Sequence, residues 1–204
     1  MASINNPATI SSEFGIDPSA LAREGIVDAL LEVDTHLFID PLLLQHSVHD
    51  EISVGAYTSY RDRFEKIIKL LDASEKENDL PWRNAKRQFR FSEVSWTCLG
   101  YGSTVKGSGF GKDLVSTTLN TAAEIVRLGV RDIDLFMALA LFEEGIGPDR
   151  ISDMTTNIIL EDLIHFTLRV GRSLGIPTKK INTPQGKREL IKNPCSDDPL
   201  VFVP

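Results

Sequence analysis

The stretch Leu141-Phe-Glu-Glu-Gly-Ile-Gly-Pro-Asp-Arg-Ile-Ser-Asp153 sets the strongest limit on how this 204-residue chain can fold. It places a Gly-x-Gly-Pro break between two strongly helical patterns, and glycine closes helices where proline opens them. Upstream, Asp132 caps Ile133 to Phe142, which is apolar on nearly every side and is predicted as a buried helix. Downstream, Pro148 opens a long helix predicted to reach Leu174. The break also gathers four carboxylates, Glu143, Glu144, Asp149 and Asp153, around Arg150.

Other helices follow from spacing and caps. Tyr60, Phe64, Ile67, Ile68 and Leu71 recur at three- and four-residue steps, the pattern of an amphipathic helix over 57–71. Asp17-Pro18 opens a short helix that Gly25 closes. Residues 82–90 read as a basic helix and 114–128 as another, ended by Gly129. Val33, Thr35, Leu37 and Ile39 alternate with other positions and predict a strand, stopped at Asp40-Pro41. The expected class is α+β and predominantly helical: a helical core with short strands near residues 30–40, 95–99 and 178–204. The expected organisation is a flexible arm over 1–15, a mainly helical domain over 16–177 and a short β appendage over 178–204. The apolar run Leu200-Val-Phe-Val203 either docks on a sheet or leads into a longer chain, and the second is preferred.

With 42% apolar and 25% charged residues the chain has the composition of a globular domain. It holds no run of the roughly eighteen apolar residues that a membrane span requires. No secretory signal opens it, so a cytoplasmic protein with Cys98 and Cys195 as reduced thiols is expected, and no membrane partner.

Net charge is −7, but residues 81–112 alone carry +5, which leaves −12 for the rest. The cations are Arg83, Lys86, Arg87, Arg90, Lys106 and Lys112. A local basic face on an acidic body suits a phosphate or an acidic partner surface. Lys106-Gly-Ser-Gly-Phe-Gly-Lys112 ahead of a helix could present backbone N–H groups to a phosphate. It is not a Walker A motif, because Asp113 follows Lys112. Trp82, Phe89, Phe91, Trp96, Tyr101 and Phe110 are interleaved with these cations, as on surfaces that stack bases, although aromatics in such a stretch more often belong to the core.

Within the acidic junction the four carboxylates are not equivalent. Asp149 and Asp153 fall in the first turns of a helix, where the dipole favours anions by about 0.3–1 kcal/mol. Glu143 and Glu144 fall at the end of the preceding helix, where it disfavours them. Arg150, a partner's lysine or a divalent cation could offset that, and pairing with Arg150 and solvent is the plainest account. Asp153, Asn157, Glu161 and His165 continue at four-residue steps and read as a solvated helix face. Asp34, His36 and Asp40 form a same-face trio if 30–40 is a strand, though a strand edge followed by a turn explains them equally.

Leu37-Phe-Ile-Asp-Pro-Leu-Leu-Leu44, Pro81-Trp-Arg83, Cys98-Leu-Gly-Tyr-Gly102 and the block from Leu141 to Asn157 together resemble an uncharacterised bacterial family, over roughly residues 14–204. Its longer members carry a C-terminal PD-(D/E)XK nuclease domain and are associated with defence genes. The nuclease signature itself is missing: Pro148-Asp149 opens a helix, and no Glu-x-Lys lies on a following strand. The resemblance therefore implies a nuclease-associated N-terminal region, with a nuclease domain or another protein as partner.

Three readings stand at this point. One is an accessory, regulatory domain that contacts nucleic acid or nucleotide phosphate through Arg83, Lys86, Arg87, Arg90, Lys106 and Lys112. Another is a metal-dependent phosphoesterase or nuclease with Glu143, Glu144, Asp149 and Asp153 as ligands of a divalent cation. The third is a scaffold for oligomer assembly. Whether the chain is an enzyme, and whether it needs any cofactor, stays open among them.

Overall fold

The computed structural model describes residues 7–89, 91, 94–100, 112–142 and 147–204, with the side chains of 112–114 and 139–142 excepted. Among the described residues seven α-helices run in chain order: α1 Ile10–Phe14, α2 Pro18–Arg23, α3 Tyr57–Asp72, α4 Leu80–Gln88, α5 Lys112–Arg127, α6 Ile133–Phe142 and α7 Pro148–Ser173. The strands β1 Lys179–Thr183 and β2 Gly186–Leu190 pair antiparallel with Lys180 opposite Glu189. The class is α+β and mainly helical, as expected. No helix among the described residues is long and apolar enough to cross a membrane.

Helix α3 is the centre of the molecule. Its apolar stripe, Tyr60, Phe64, Ile67, Ile68 and Leu71, is fully buried, and α4, α5, α6 and α7 all pack around it. A π-helical turn, Glu51–Ala56, leads directly into α3 and lies against α7. Helix α7, about 39 Å long at 1.5 Å per residue, buries Met154, Ile159, Leu163, Phe166 and Val170 along one side.

Tyr60 carries a mismatch inside this core. Its hydroxyl lies next to Thr155, whose own hydroxyl donates to the Ile151 carbonyl (2.7 Å), and it completes no hydrogen bond. Burial raises its pKa. An unpaired buried hydroxyl costs about 1–3 kcal/mol. Tyr60→Phe is therefore expected to leave stability unchanged or raise it by about 1 kcal/mol in a urea melt. A loss above that would show that the hydroxyl is paired.

Three sequence expectations need correction. Residues 30–40 and 95–99 are not strands. They touch through one parallel bridge, Thr35 to Leu99, and Ser95–Thr97 is a 3-10 turn. Val33 and Leu37 are exposed, because no neighbouring strand covers them. Nor is the arm loose as far as residue 15. Thr9 and Ser12 form a reciprocal capping box on α1, and Ser11 donates from both its N–H and hydroxyl to Asp28 (2.8 and 2.6 Å). Ile10 is buried as a result. The segment 199–203 is no appendage either: Leu200, Val201 and Phe202 are buried in the core. Their N–H groups donate to the Ile191 carbonyl, the Trp96 carbonyl and the Thr167 hydroxyl in turn (2.9, 2.8 and 2.8 Å).

Candidate functional site

The basic face is built on α4. Asp79 caps the helix by accepting from the Trp82 N–H (2.9 Å), and the same carboxylate accepts from the N–H groups of Glu75 and Lys76 and the hydroxyl of Ser74. These bonds hold its pKa low, that from Trp82 most of all, and tie the charged loop before α4 to the helix start. The apolar side of α4, Trp82 and Ala85, is buried, with Phe89 beyond it packed edge-on against Phe64 of α3 (6.3 Å). That docking leaves Arg83 and Arg87, four residues apart and so on one face, exposed to solvent. Lys86 lies at the border, where its ammonium donates to the Ser116 hydroxyl of α5 (2.9 Å).

Pairing separates these arginines from four others. Arg61 pairs with Asp134, Arg131 with Asp72, Arg169 with Glu51 and Arg188 with Glu161. Among the described residues, Arg83 and Arg87 pair with no carboxylate. Arg63, the nearest basic neighbour on α3, is half-buried and donates to the Gln88 carbonyl at the end of α4 (3.1 Å). Arg90, Lys106 and the side chain of Lys112 lie outside the described residues, as do Tyr101 and Phe110. Trp82, Phe89 and Phe91 are core residues, so they offer no stacking platform for bases.

Glu143 and Glu144 also lie outside the described residues. Asp149 opens α7 over an N-cap, Gly147, that has no side chain to contribute. The fold brings Asp149 to a carboxylate the sequence did not associate with it. Thr35 donates to the Cys98 carbonyl (2.8 Å) and receives the Gly100 N–H on its own carbonyl (3.0 Å), which lays Asp34 beside Gly100. A methyl group added to Gly100 would sit 3.0 Å from Asp34 Oδ2 and 3.1 Å from Asp149 Oδ1. Two carboxylates from distant segments thus converge on one glycine, whose φ of +146° a side chain would strain. Asp40 does not join Asp34 and His36. It caps the 3-10 turn Pro41–His46 by accepting from Leu42 (2.9 Å). Glu161 is likewise occupied: both its oxygens receive Arg188 (2.6 and 2.7 Å). Among the described residues no three His, Cys, Asp or Glu side chains gather around a point that could hold a metal ion.

A cavity of about 410 Å³ opens between the Pro41–His46 turn, the π turn and α7, lined by Phe38, Leu43, Leu44, Ile52 and Leu163, with His49 in its wall. Arg169 donates to His49 Nδ1 (3.2 Å) and is held by Glu51. Because the guanidinium can only donate, Nδ1 accepts and Nε2 carries the proton. Nε2 is buried without a partner, 3.2 Å from where a methyl on Gly25 would sit. The ring lies 4.7 Å from that of Phe166, tilted by 56°. Nothing in the sequence marks this trio, since about 120 residues separate its halves. Cys98 is unreactive. Burial, and then the Asp34 carboxylate, push its thiol up to about 11.

Arg169 holds the pKa of Glu51 below its usual value, and Arg188 does the same for Glu161. Both pairs therefore add stability above the unfolded glutamate pKa of about 4.3 and lose it as pH falls through the lower folded values. Arg169 and Glu161 are more than a third exposed, so screening keeps each pair under about 1 kcal/mol. The melting temperature is expected to fall below about pH 4.3, and to fall less in Glu51→Gln/Glu161→Gln. Equal losses in both proteins would remove these pairs from the account.

Residues 15–204 match the model of the family described as a domain of unknown function, DUF8370, and the chain belongs to that family. No curated protein and no solved structure matches it.

Proposed function

We propose that this member of the DUF8370 family is a non-catalytic accessory domain that contacts the phosphate backbone of nucleic acid through the outer face of α4. The observation that carries this reading is the pair Arg83 and Arg87: exposed, four residues apart, and without a carboxylate partner among the described residues of a protein whose net charge is −7. Isolated cations on an acidic body attract a polyanion locally while the remainder of the surface repels it, which fixes the orientation of approach. Lys86, held by Ser116, extends the same face. Among the described aromatic residues of this stretch, Trp82, Phe89 and Phe91 are buried, which favours backbone contact over base recognition. The resemblance in sequence to nuclease-bearing defence proteins supplies the setting within this proposal: the domain would hold nucleic acid for a nuclease partner.

Fluorescence anisotropy of labelled DNA tests it. At about 50 mM salt the chain is expected to bind, and Arg83→Ala/Arg87→Ala to flatten the slope of log K against log salt by about 0.9 for each arginine that leaves a phosphate. Binding with an unchanged slope would reject the α4 face.

One observation favours a second reading. Asp34 and Asp149 converge beside Gly100, and a divalent cation bound there would make a metal-dependent phosphoesterase. On that reading Mn²⁺ or Mg²⁺ raises the melting temperature, and Asp34→Asn/Asp149→Asn abolishes the rise. An unmoved wild-type midpoint would set it aside.

A further inference from the structure

The β1–β2 hairpin is the second place where positive charge collects. Residues 178–192 carry net +4 in a chain of −7, so the remainder carries −11. The register divides the hairpin into two faces. Lys179, Ile181, Arg188 and Leu190 share the inner one, where Leu190 is buried and Arg188 clamps Glu161 of α7 through two hydrogen bonds. Lys180, Asn182, Lys187 and Glu189 share the outer one, and all four are exposed.

Where each charge goes decides what that outer face can do. Arg188 is spent on Glu161, and Lys192 on Asp197 (2.6 Å). Glu189, directly across from Lys180, receives the Thr178 hydroxyl (2.9 Å) and forms no ion pair with Lys180. Among the described residues Lys179, Lys180 and Lys187 pair with no carboxylate. Lys180 and Lys187 are diagonal neighbours across the ribbon, about 7–8 Å apart. Two like charges that close repel one another, and a polyanion laid across them removes the repulsion.

We infer that the outer face of the β1–β2 hairpin is a second contact, for duplex DNA, with Lys180 and Lys187 on backbone phosphates. The inference deepens the reading of α4 as a nucleic-acid face and rests on it only in the kind of partner. Two properties select duplex DNA. A two-stranded ribbon fits the B-form major groove, about 12 Å wide, whereas the A-form groove of duplex RNA is too narrow to admit it. The outer face bears no aromatic side chain, so it has nothing on which the bases of a single strand could stack. Lysines act as point charges and read no base pattern, so the contact is independent of sequence.

The test is anisotropy with the full chain, a labelled DNA duplex of about 20 bp (two helical turns), the single strand of the same sequence and the matching RNA duplex. Lys180→Ala/Lys187→Ala changes only exposed side chains, and circular dichroism melting verifies that it folds. For duplex DNA the slope of log K against log salt is expected to become shallower by about 0.9 per lysine lost. Single-stranded DNA and duplex RNA are expected to bind more weakly, with slopes that the substitution leaves alone. An unchanged slope on duplex DNA overturns the inference, and so does an equal loss on all three ligands. The α4 variant separates the two readings. If Arg83→Ala/Arg87→Ala binds normally while the lysine variant does not, the hairpin stands and α4 falls; the converse overturns the hairpin and keeps α4. No binding by wild type at about 50 mM salt overturns both.

Discussion

Phe202→Ala is expected to destabilise the protein by about 3–5 kcal/mol, the range for truncating a buried phenylalanine. The side chain is among the largest that are fully buried, although it lies only two residues from the last position of the sequence. Against a total stability of about 5–15 kcal/mol, that loss would leave a substantial unfolded fraction at moderate temperature. The cost arises because neighbours from α7 and the preceding segment are held by backbone bonds on both sides of Phe202 and cannot collapse into the space: Val201 donates to Trp96, and Val27 donates to Val203 (2.8 and 3.0 Å). Urea denaturation measures it directly. A change within about 0.5 kcal/mol, typical of a surface substitution, would show that residues 199–203 are not part of the core.

Thr167→Val is expected to have the second largest effect, about 1–3 kcal/mol. The Thr167 hydroxyl donates to the Leu163 carbonyl (2.6 Å) and accepts the N–H of Phe202 (2.8 Å), and the whole arrangement is buried. Valine has nearly the same shape but no acceptor, so the Phe202 N–H would be left in the core without a partner. Thr167→Ser separates the two contributions. It keeps both hydrogen bonds and removes one methyl, for a loss of about 0.8 kcal/mol. If valine proved as mild as serine, the terminal segment would be held by apolar contact alone.

These two positions also show which parts of the fold could be read in the sequence. Helices whose signal is local were legible. Tyr60, Phe64, Ile67, Ile68 and Leu71 define α3 by spacing, and Asp17-Pro18 opens α2 by a cap and a proline. The alternation at Val33, Thr35, Leu37 and Ile39 was misleading. Alternation reports a strand only where a neighbour completes the sheet, and here the described segment has only isolated bridges, Leu30 to Thr9 and Thr35 to Leu99. Leu200-Val-Phe-Val203 read as a strand docked on a sheet or a lead into a longer chain because its partners, Trp96 and Thr167, are remote in sequence.

The candidate sites divide in the same way. Arg83 and Arg87 were visible as charge, but only the fold shows that among the described residues they meet no carboxylate while Arg61, Arg131, Arg169 and Arg188 do. The junction was visible as a run of acids. Yet its one described convergence, Asp149 with Asp34 at Gly100, joins segments more than a hundred residues apart and leaves no local mark. The hairpin lysines were in plain sight, but which of them share a face depends on a register that the turn sets.

NMR observation of the arginine Nε–H resonances during titration with duplex DNA tests the central claim most directly. Arg61 and Arg131, held by Asp134 and Asp72, serve as internal references. The account predicts that Arg83 and Arg87 shift as duplex is added and return as salt is raised, while Arg61 and Arg131 stay in place. A bound complex in which the Arg83 and Arg87 resonances do not move would contradict it.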